Sequence, residues 1–164
     1  MNRHLPLVLI VLASVGLAFG PAHARPITNQ AQEFELARID GAHFVRLSDF
    51  PNQAVLVNFW SRDCPPCIEE IPLLDRMALR NPRVQFLGIS VDQRTAAYRF
   101  LMILQPGYPQ LLAPITPDGL ARRLGNPTGA LPYTVVLDRR HRLCRSHSGA
   151  LDQGWLDSAL KTCG

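Results

Sequence analysis

Apolar and polar positions along the chain predict a strand, a helix and a second strand in its first half. Residues 54–60 are almost wholly apolar, which is typical of a strand covered on both faces. Apolar side chains at helical spacing predict a helix from Cys64 to about Arg80, and residues 84–91 form a second apolar strand. Because a helix connects the two strands, we expect them to run parallel.

The pattern on either side of this unit predicts that one mixed sheet is completed around it. In chain order the other predicted elements are a hairpin over 34–47 with its turn at Asp40-Gly41, a helix over 95–105, a short apolar run over 110–113, a short helix capped by Thr116 that begins at Pro117 and ends at Gly125, antiparallel strands over 133–137 and 142–148, and a last helix capped by Asp152. The predicted fold class is therefore α/β, with one domain over residues 34–164.

The first 24 residues have the three parts of a secretory signal peptide. Arg3 supplies the positive charge, residues 5–19 are almost wholly apolar, and Ala22-His23-Ala24 offers small residues at a cleavage site. The alternative is an uncleaved membrane anchor, for which the apolar run is short. We therefore expect export to the periplasm, with residues 25–33 as a flexible lead-in to the domain.

Composition and charge narrow the function classes. The chain has 164 residues and a formal net charge of +4, which becomes +3 when Arg3 is removed with the leader. Its basic residues are arginines apart from Lys161, and they are scattered along the sequence. A nucleic-acid binder would more often show a basic stripe with interleaved aromatic residues, so no nucleic-acid partner is expected.

Four cysteines lie in the part predicted to be exported, where disulfides form and persist. Cys64 and Cys67 enclose two prolines at the point where the buried strand ends and the helix begins. Free N–H groups at a helix start favour the thiolate, which is the form that attacks disulfides. Metal ribbons also use a C-x-x-C, but they usually need a second pair. The spacing thus favours redox chemistry with no cofactor beyond the cysteine pair.

The run N-F-W-x-x-x-C-P-P-C-x-E-E-x-P, with Leu131-Pro132 before a later apolar strand, resembles the thioredoxin superfamily. More narrowly, residues 36–161 resemble exported thiol–disulfide oxidoreductases of the TlpA/ResA/DsbE type. The resemblance implies a thioredoxin fold with an extra strand–helix segment near residues 96–125. It also implies that Cys64 attacks, that Cys67 resolves the mixed disulfide, and that Pro132 is a cis-proline beside which the Leu131 backbone pairs with substrate.

Two further side chains are candidates for the site. Glu70 matches an acidic residue that members of this group place beneath the cysteines, so it is a candidate proton acceptor for Cys67. The alternative is a first-turn glutamate that only the helix dipole favours. Trp60 could contact the substrate or belong to the core. Asn58 stands where thioredoxin itself has a buried aspartate.

The residues around Cys64 predict the direction of the chemistry. Asp63 should raise the pKa of the Cys64 thiol, partly offset by Arg62. Pro65 and Pro66 carry no N–H, which leaves few donors for a thiolate. Since a stabilised thiolate makes a strong oxidant, we expect a reductant or a mild isomerase rather than a primary oxidase.

Cys144 and Cys163 form a second, distant pair. Counting residues back along the last strand and forward along the last helix brings the two cysteines level. We expect a structural disulfide that closes a loop of about 20 residues. The alternatives are two separate small apolar residues or a second redox pair that feeds the first.

The expected partners are client proteins with disulfides and an upstream thiol carrier in the membrane that donates electrons to a monomeric domain. Maturation of haem proteins such as cytochrome c is the role of many relatives. A Cu(I) chaperone that uses Cys64 and Cys67 is the alternative from another class. A peroxidase is disfavoured, because Ser61-x-x-Cys64 matches the peroxiredoxin S/T-x-x-C but Val57 stands where those enzymes have proline.

Overall fold

The computed structural model describes residues 30–113 and 119–164, so the leader, most of the lead-in, Thr116 and Pro117 lie outside the described residues. The elements are β1 (Glu35–Ala37), β2 (Phe44–Arg46), a 3₁₀ turn (Leu47–Asp49), β3 (Ala54–Trp60), α1 (Pro65–Arg80), β4 (Val84–Ser90), α2 (Arg94–Leu104), β5 (Gln110–Leu112), α3 (Leu120–Arg123), β6 (Tyr133–Leu137), β7 (Leu143–Ser148) and α4 (Gln153–Cys163). Among these helices, none has the length and apolar character needed to cross a membrane.

Five strands form one mixed sheet in the order β5-β4-β3-β6-β7. β3, β4 and β5 are mutually parallel, whereas β6 is antiparallel to both β3 and β7. This is the predicted α/β fold of the thioredoxin type, with β5 as an extra strand at the edge. Because β3 and β4 are parallel, their carboxyl ends meet at one edge of the sheet, and the loops that follow them lie together.

Strand β3 is buried along its whole length, as its apolar sequence predicts. Side chains alternate across the sheet, so Val55, Val57 and Phe59 enter the core on one face. Leu56 points to the other face, where it packs with residues of α1 and α4. The central strand therefore has α1 and α4 on one face of the sheet and the β1–β2 hairpin with α3 on the other.

Two predicted boundaries need correction. The short helix was expected from Pro117, but in the structure it begins at Leu120, after Gly119 with an extended backbone (ψ 160°). Its predicted end is confirmed, since Gly125 has φ +95°, a conformation that glycine adopts without a Cβ penalty. The paired chain also begins before residue 34, because Ala31 forms an antiparallel bridge with Arg142.

The last helix is fixed at both ends. The Asp152 carboxylate accepts a hydrogen bond from the Trp155 N–H at 2.7 Å, which is the predicted N-cap. At the other end Cys163 is bonded to Cys144 of β7, with 6.0 Å between the Cα atoms. The structure thus contains the expected bridge, and neither cysteine is a free thiol.

The double variant Cys144→Ala/Cys163→Ala should lower the free energy of unfolding by about 3 kcal/mol, because the unfolded chain regains the entropy of a loop with a sequence separation of 19. Urea denaturation of the oxidised protein measures this. The matched control is Cys64→Ala/Cys67→Ala, whose bridge has a separation of 3 and should contribute less. Equal losses in the two variants would contradict the assignment of a stabilising role to Cys144–Cys163.

Candidate active site

The reactive disulfide lies at the carboxyl edge of the sheet, between the end of β3 and the start of α1. Cys64 is the N-cap of α1 and is half-buried, whereas the side chain of Cys67 is fully buried. The two are bonded, with 5.3 Å between their Cα atoms. A partner can therefore reach the sulfur of Cys64 more readily than that of Cys67.

The Leu131-Pro132 loop approaches this disulfide from β6. The peptide bond between the two residues is cis, as the resemblance implies. Leu131 and Cys64 pack against the same small apolar cluster, to which Cys67 and Ile71 belong. Among the described residues, the backbone N–H and C=O of Leu131 form no hydrogen bond. Leu131 thus has an unpaired backbone and packs against the cluster that contains Cys67.

The first turn of α1 offers few donors to a Cys64 thiolate. Pro65 and Pro66 occupy the first two helical positions and have no N–H. The N–H of Cys67 donates to the Cys64 carbonyl at 3.0 Å, and that of Ile68 donates to the same oxygen at 3.2 Å. The nearest amide that the sequence leaves for the thiolate is therefore already engaged.

Asp92 holds the loop that leads to Cys64, and the sequence analysis missed it. Its carboxylate accepts hydrogen bonds from the Ser61 hydroxyl at 2.7 Å, the Arg62 N–H at 2.8 Å and the Ser90 hydroxyl at 3.0 Å. The position of an aspartate just past the carboxyl end of a predicted parallel strand was the available signal. Asp92 therefore connects the carboxyl ends of β3 and β4 and holds in place the loop that precedes Cys64.

Glu70 is buried on α1, three residues after Cys67, and it has specific hydrogen-bond partners, so the helix dipole is not its only favourable interaction. Its carboxylate accepts hydrogen bonds from Asn58 Nδ2 at 2.6 Å and from the Leu151 N–H at 3.1 Å. Burial raises the pKa of Glu70 from its ordinary value of 4.5 to about 7, and these two hydrogen bonds oppose the rise. The carboxyl group can therefore hold or release a proton near neutral pH.

Asn58 connects this carboxyl group to the neighbouring strand. Its Nδ2 donates to Thr134 Oγ1 at 2.9 Å as well as to Glu70, while its Oδ1 is buried with no partner among the described residues. Asn58 and Thr134 are paired across β3 and β6, so the sheet register places both donors and acceptors. The amide sits where thioredoxin has an aspartate, and here the ionisable group is Glu70 on the helix above.

The structure decides between the alternatives for Trp60 and shows the partner of Asp63. Trp60 was a candidate for substrate contact, but its side chain is fully buried, so a client cannot reach it. Its Nε1 donates to Gln110 Oε1 at 3.0 Å, and its ring lies 6.0 Å from that of Phe100. Asp63 is exposed, and its carboxylate lies 3.6 Å from Arg62 Nε. Trp60 therefore packs in the buried cluster that includes Cys67 and supports the site from within the core.

The described residues contain no group of three or more histidine, cysteine, aspartate or glutamate side chains placed to hold a metal ion. The chemistry available at the site is that of the cysteine pair, a neighbouring acid with a pKa near neutrality and an unpaired edge of backbone.

A model of the AhpC/TSA family matches residues 27–148, which is most of the chain. The chain belongs to the AhpC/TSA family. Similar curated proteins include the thiol-disulfide oxidoreductase ResA of Geobacillus kaustophilus, 25% identical over 149 residues that cover 87% of this chain and 71% of that protein. ResA of Bacillus anthracis is 23% identical over 163 residues, covering 94% and 91%.

Solved structures agree on the fold. A thiol:disulfide interchange protein of the thioredoxin family from Chlorobium tepidum superposes with a TM-score of 0.71 at 25% identity, covering 87% of this chain and 99% of that one. A DsbF homologue from Corynebacterium diphtheriae gives 0.70 at 24% identity, covering 80% and 84%. This member of the AhpC/TSA family is a thiol–disulfide oxidoreductase, as the sequence predicts.

Glu70→Gln should remove a pH dependence of stability. Because the raised pKa means that the folded state binds the Glu70 proton more tightly than the unfolded state, its contribution is complete below about pH 4.5 and is lost as the pH rises through about 7. The stability of the wild type minus that of the variant should fall by about 3 kcal/mol over this window.

Urea denaturation at a series of pH values between 4 and 8 measures that difference. Glu69→Gln, at the exposed neighbouring position of the same helix, is the matched control and should keep the wild-type pH dependence. A constant difference between wild type and Glu70→Gln across the series would show that Glu70 has no raised pKa.

Proposed function

We propose that this oxidoreductase is exported to the periplasm and reduces disulfides of client proteins through a Cys64–Cys67 dithiol/disulfide cycle. The observation that carries the proposal is the position of the disulfide: it lies at a helix start, with an unpaired backbone on one side and a buried acid of raised pKa below. The signal-peptide pattern of residues 1–24 supports export.

The reaction exchanges one disulfide for another. The Cys64 thiolate attacks a sulfur of the client disulfide, forming a mixed disulfide and releasing the client's other sulfur as a thiolate, which takes up a proton. Cys67 then loses its proton and attacks Cys64, so that the client leaves with two thiols and Cys64–Cys67 is oxidised by two electrons. An upstream thiol carrier in the membrane returns two electrons to the pair.

Glu70 is the proposed acceptor of the Cys67 proton. The two residues are three apart on α1, so their side chains lie on the same face of the helix. Cys67 is buried away from bulk solvent, and an acid with a pKa of about 7 accepts a proton at neutral pH with little energetic cost. Asn58 and the Leu151 N–H hold the carboxylate while it is charged.

Leu131 and Pro132 are the proposed binding edge for the client. The Leu131 N–H and C=O are unpaired and lie beside the half-buried Cys64. An extended client segment can form backbone hydrogen bonds there, as strands do at a sheet edge. Such pairing is independent of side-chain identity, which suits a reductase that acts on several clients. Apocytochrome c and other haem proteins in maturation are the client class that the resemblance suggests.

The direction of the cycle follows from how weakly the Cys64 thiolate is stabilised. Two prolines remove backbone donors and the Cys67 amide is engaged by the Cys64 carbonyl. Asp63, the residue before Cys64, adds a negative charge that Arg62 partly offsets. Because an unstable thiolate favours the oxidised protein, the dithiol form gives up its electrons readily.

The reduction potential of Cys64–Cys67, measured by equilibration with glutathione or dithiothreitol, should lie toward the value of thioredoxin, about −270 mV, rather than that of a strong periplasmic oxidant, about −120 mV. Pro65→Ala/Pro66→Ala restores two N–H groups and should make the potential less negative. A wild-type value at the oxidising end would mean that the protein forms disulfides instead of reducing them.

Cys67→Ala should trap the covalent complex with client proteins, since the attacking thiol remains and the resolving thiol is gone. Non-reducing electrophoresis of the exported protein, followed by mass spectrometry of the adducts, detects the complexes. Cys64→Ala is the matched control and should yield few adducts, because Cys67 is buried. Equal adducts from both variants would contradict the division of roles between the two cysteines.

Two other activities predict different results for the same reduced protein. A Cu(I) chaperone would bind one equivalent of copper through the Cys64 and Cys67 thiolates. The match to the AhpC/TSA family makes a peroxidase the second alternative. A peroxidase would consume hydrogen peroxide at Cys64. Such enzymes carry a proline at the position of Val57, which is buried in β3.

A further inference from the structure

Six basic side chains gather at the end of the molecule opposite the disulfide. This basic pole consists of Arg80, Arg83, Arg139, Arg140, Arg142 and Lys161. They come from the last turn of α1, the turn before β4, the β6–β7 turn and the last turn of α4. All are exposed except Arg142, which is half-buried.

The basic pole is open and concave. A groove of about 520 Å³ is lined by Arg80, Arg83, Arg139 and Lys161 among others. A second groove of about 300 Å³ lies next to it and shares Arg139 and Gly164 with the first. Several cations at this end of the domain would therefore contact a flat bilayer surface at the same time.

The positive charge at this pole is largely unpaired. Asp138 forms an ion pair with Arg142 at 2.8 Å. Within residues 30–113 and 119–164, no carboxylate lies within 4.0 Å of the charged groups of the other five basic residues. Asp157 is the other carboxylate that lines the grooves. The cations here therefore face solvent.

The pole accounts for the whole positive surplus of the described chain. The described segments hold 15 basic and 12 acidic side chains, a net of +3. The pole alone holds six basic side chains against Asp138 and Asp157, a net of +4, so the other described side chains sum to −1. The rest of the surface is close to neutral, so the domain has one strongly cationic end.

The lead-in joins the domain at this same end. Ala31 pairs with Arg142, and the Gln32 N–H donates to the His141 carbonyl at 2.8 Å. The chain that follows the predicted leader therefore enters the domain beside a member of the basic pole. The end of the domain next to the export signal is thus its cationic end.

We propose that the basic pole docks on the surface of an anionic phospholipid membrane. A cation held close to an anionic bilayer raises the partition coefficient about fivefold, so several acting together produce measurable binding. α1 runs from Cys64 to Arg80, a length of about 24 Å at 1.5 Å per residue. Docking by this pole points the disulfide away from the lipid, toward soluble clients.

Sedimentation of the full chain with lipid vesicles tests the proposal. The partition coefficient onto vesicles of phosphatidylglycerol and phosphatidylcholine should exceed that onto phosphatidylcholine alone, and the excess should shrink with added salt. Arg83→Glu/Arg139→Glu should reduce this excess at least about tenfold. Both positions are exposed turn residues, so the change should leave the core intact.

The matched control is Arg99→Glu/Arg122→Glu, which makes the same change in net charge on α2 and α3, away from the pole. It should keep most of the excess. Both double variants should retain disulfide reductase activity, and Arg140→Gln/Lys161→Gln gives a milder second test of the pole if the first variant fails to fold.

Three outcomes would overturn the proposal. Equal partition onto neutral and anionic vesicles would show that the pole does not recognise anionic lipid. Equal losses in the pole and control variants would show that only net charge matters. Release of the protein by inorganic phosphate, beyond the effect of chloride at the same ionic strength, would show that the pole binds free anions rather than a lipid surface.

Discussion

Strand β3 is buried on both faces between β4 and β6, and the position of its last residue sets the geometry of the whole active site. Because the strand must end at the edge of the core, the chain turns there, and α1 starts with Cys64 at its cap. The parallel neighbour β4 ends at the same edge, which brings Asp92 to the loop before Cys64. Burial of the central strand thus places the reactive sulfur and its support together.

Burial of an acid on α1 also lowers the stability of the protein at neutral pH. Glu70 is removed from water on the inner face of α1, and two donors compensate only part of the lost hydration, so its pKa rises. A fully apolar residue there would stabilise the core at neutral pH. The carboxyl group instead gives the buried Cys67 thiol a partner for its proton, a loss of stability that serves the proposed cycle.

The two ends of the molecule have different tasks in the proposals above. Electron exchange takes place where the parallel strands end, next to an unpaired backbone that suits a client segment. The opposite end collects the cations and receives the N-terminal segment. α1 connects the two and fixes their separation, so an interaction at one end leaves the other accessible.

Local pattern was sufficient wherever one segment determines its own environment. The run of apolar residues predicted β3, the position of Cys64-Pro-Pro-Cys67 predicted a disulfide at a helix start, and Asp152 predicted its own cap. The Cys144–Cys163 bridge was predicted by counting residues along two regular elements. These features depend on backbone periodicity and on short-range hydrogen bonds, which the sequence alone determines.

Other features exist only after distant segments meet. Trp60 is buried because Gln110 and Phe100, 50 and 40 positions later, cover it. Glu70 acquires a raised pKa from burial that no neighbour in sequence provides, and the partners of Asp92 come from the end of another strand. Arginines that are scattered along the sequence form one cationic pole, because helix ends and strand turns converge at one end of the sheet. The sequence determined which reactive groups are present. The tertiary structure decided which of them solvent reaches, the pKa of Glu70 and where the positive charge collects, since all three depend on packing between remote residues.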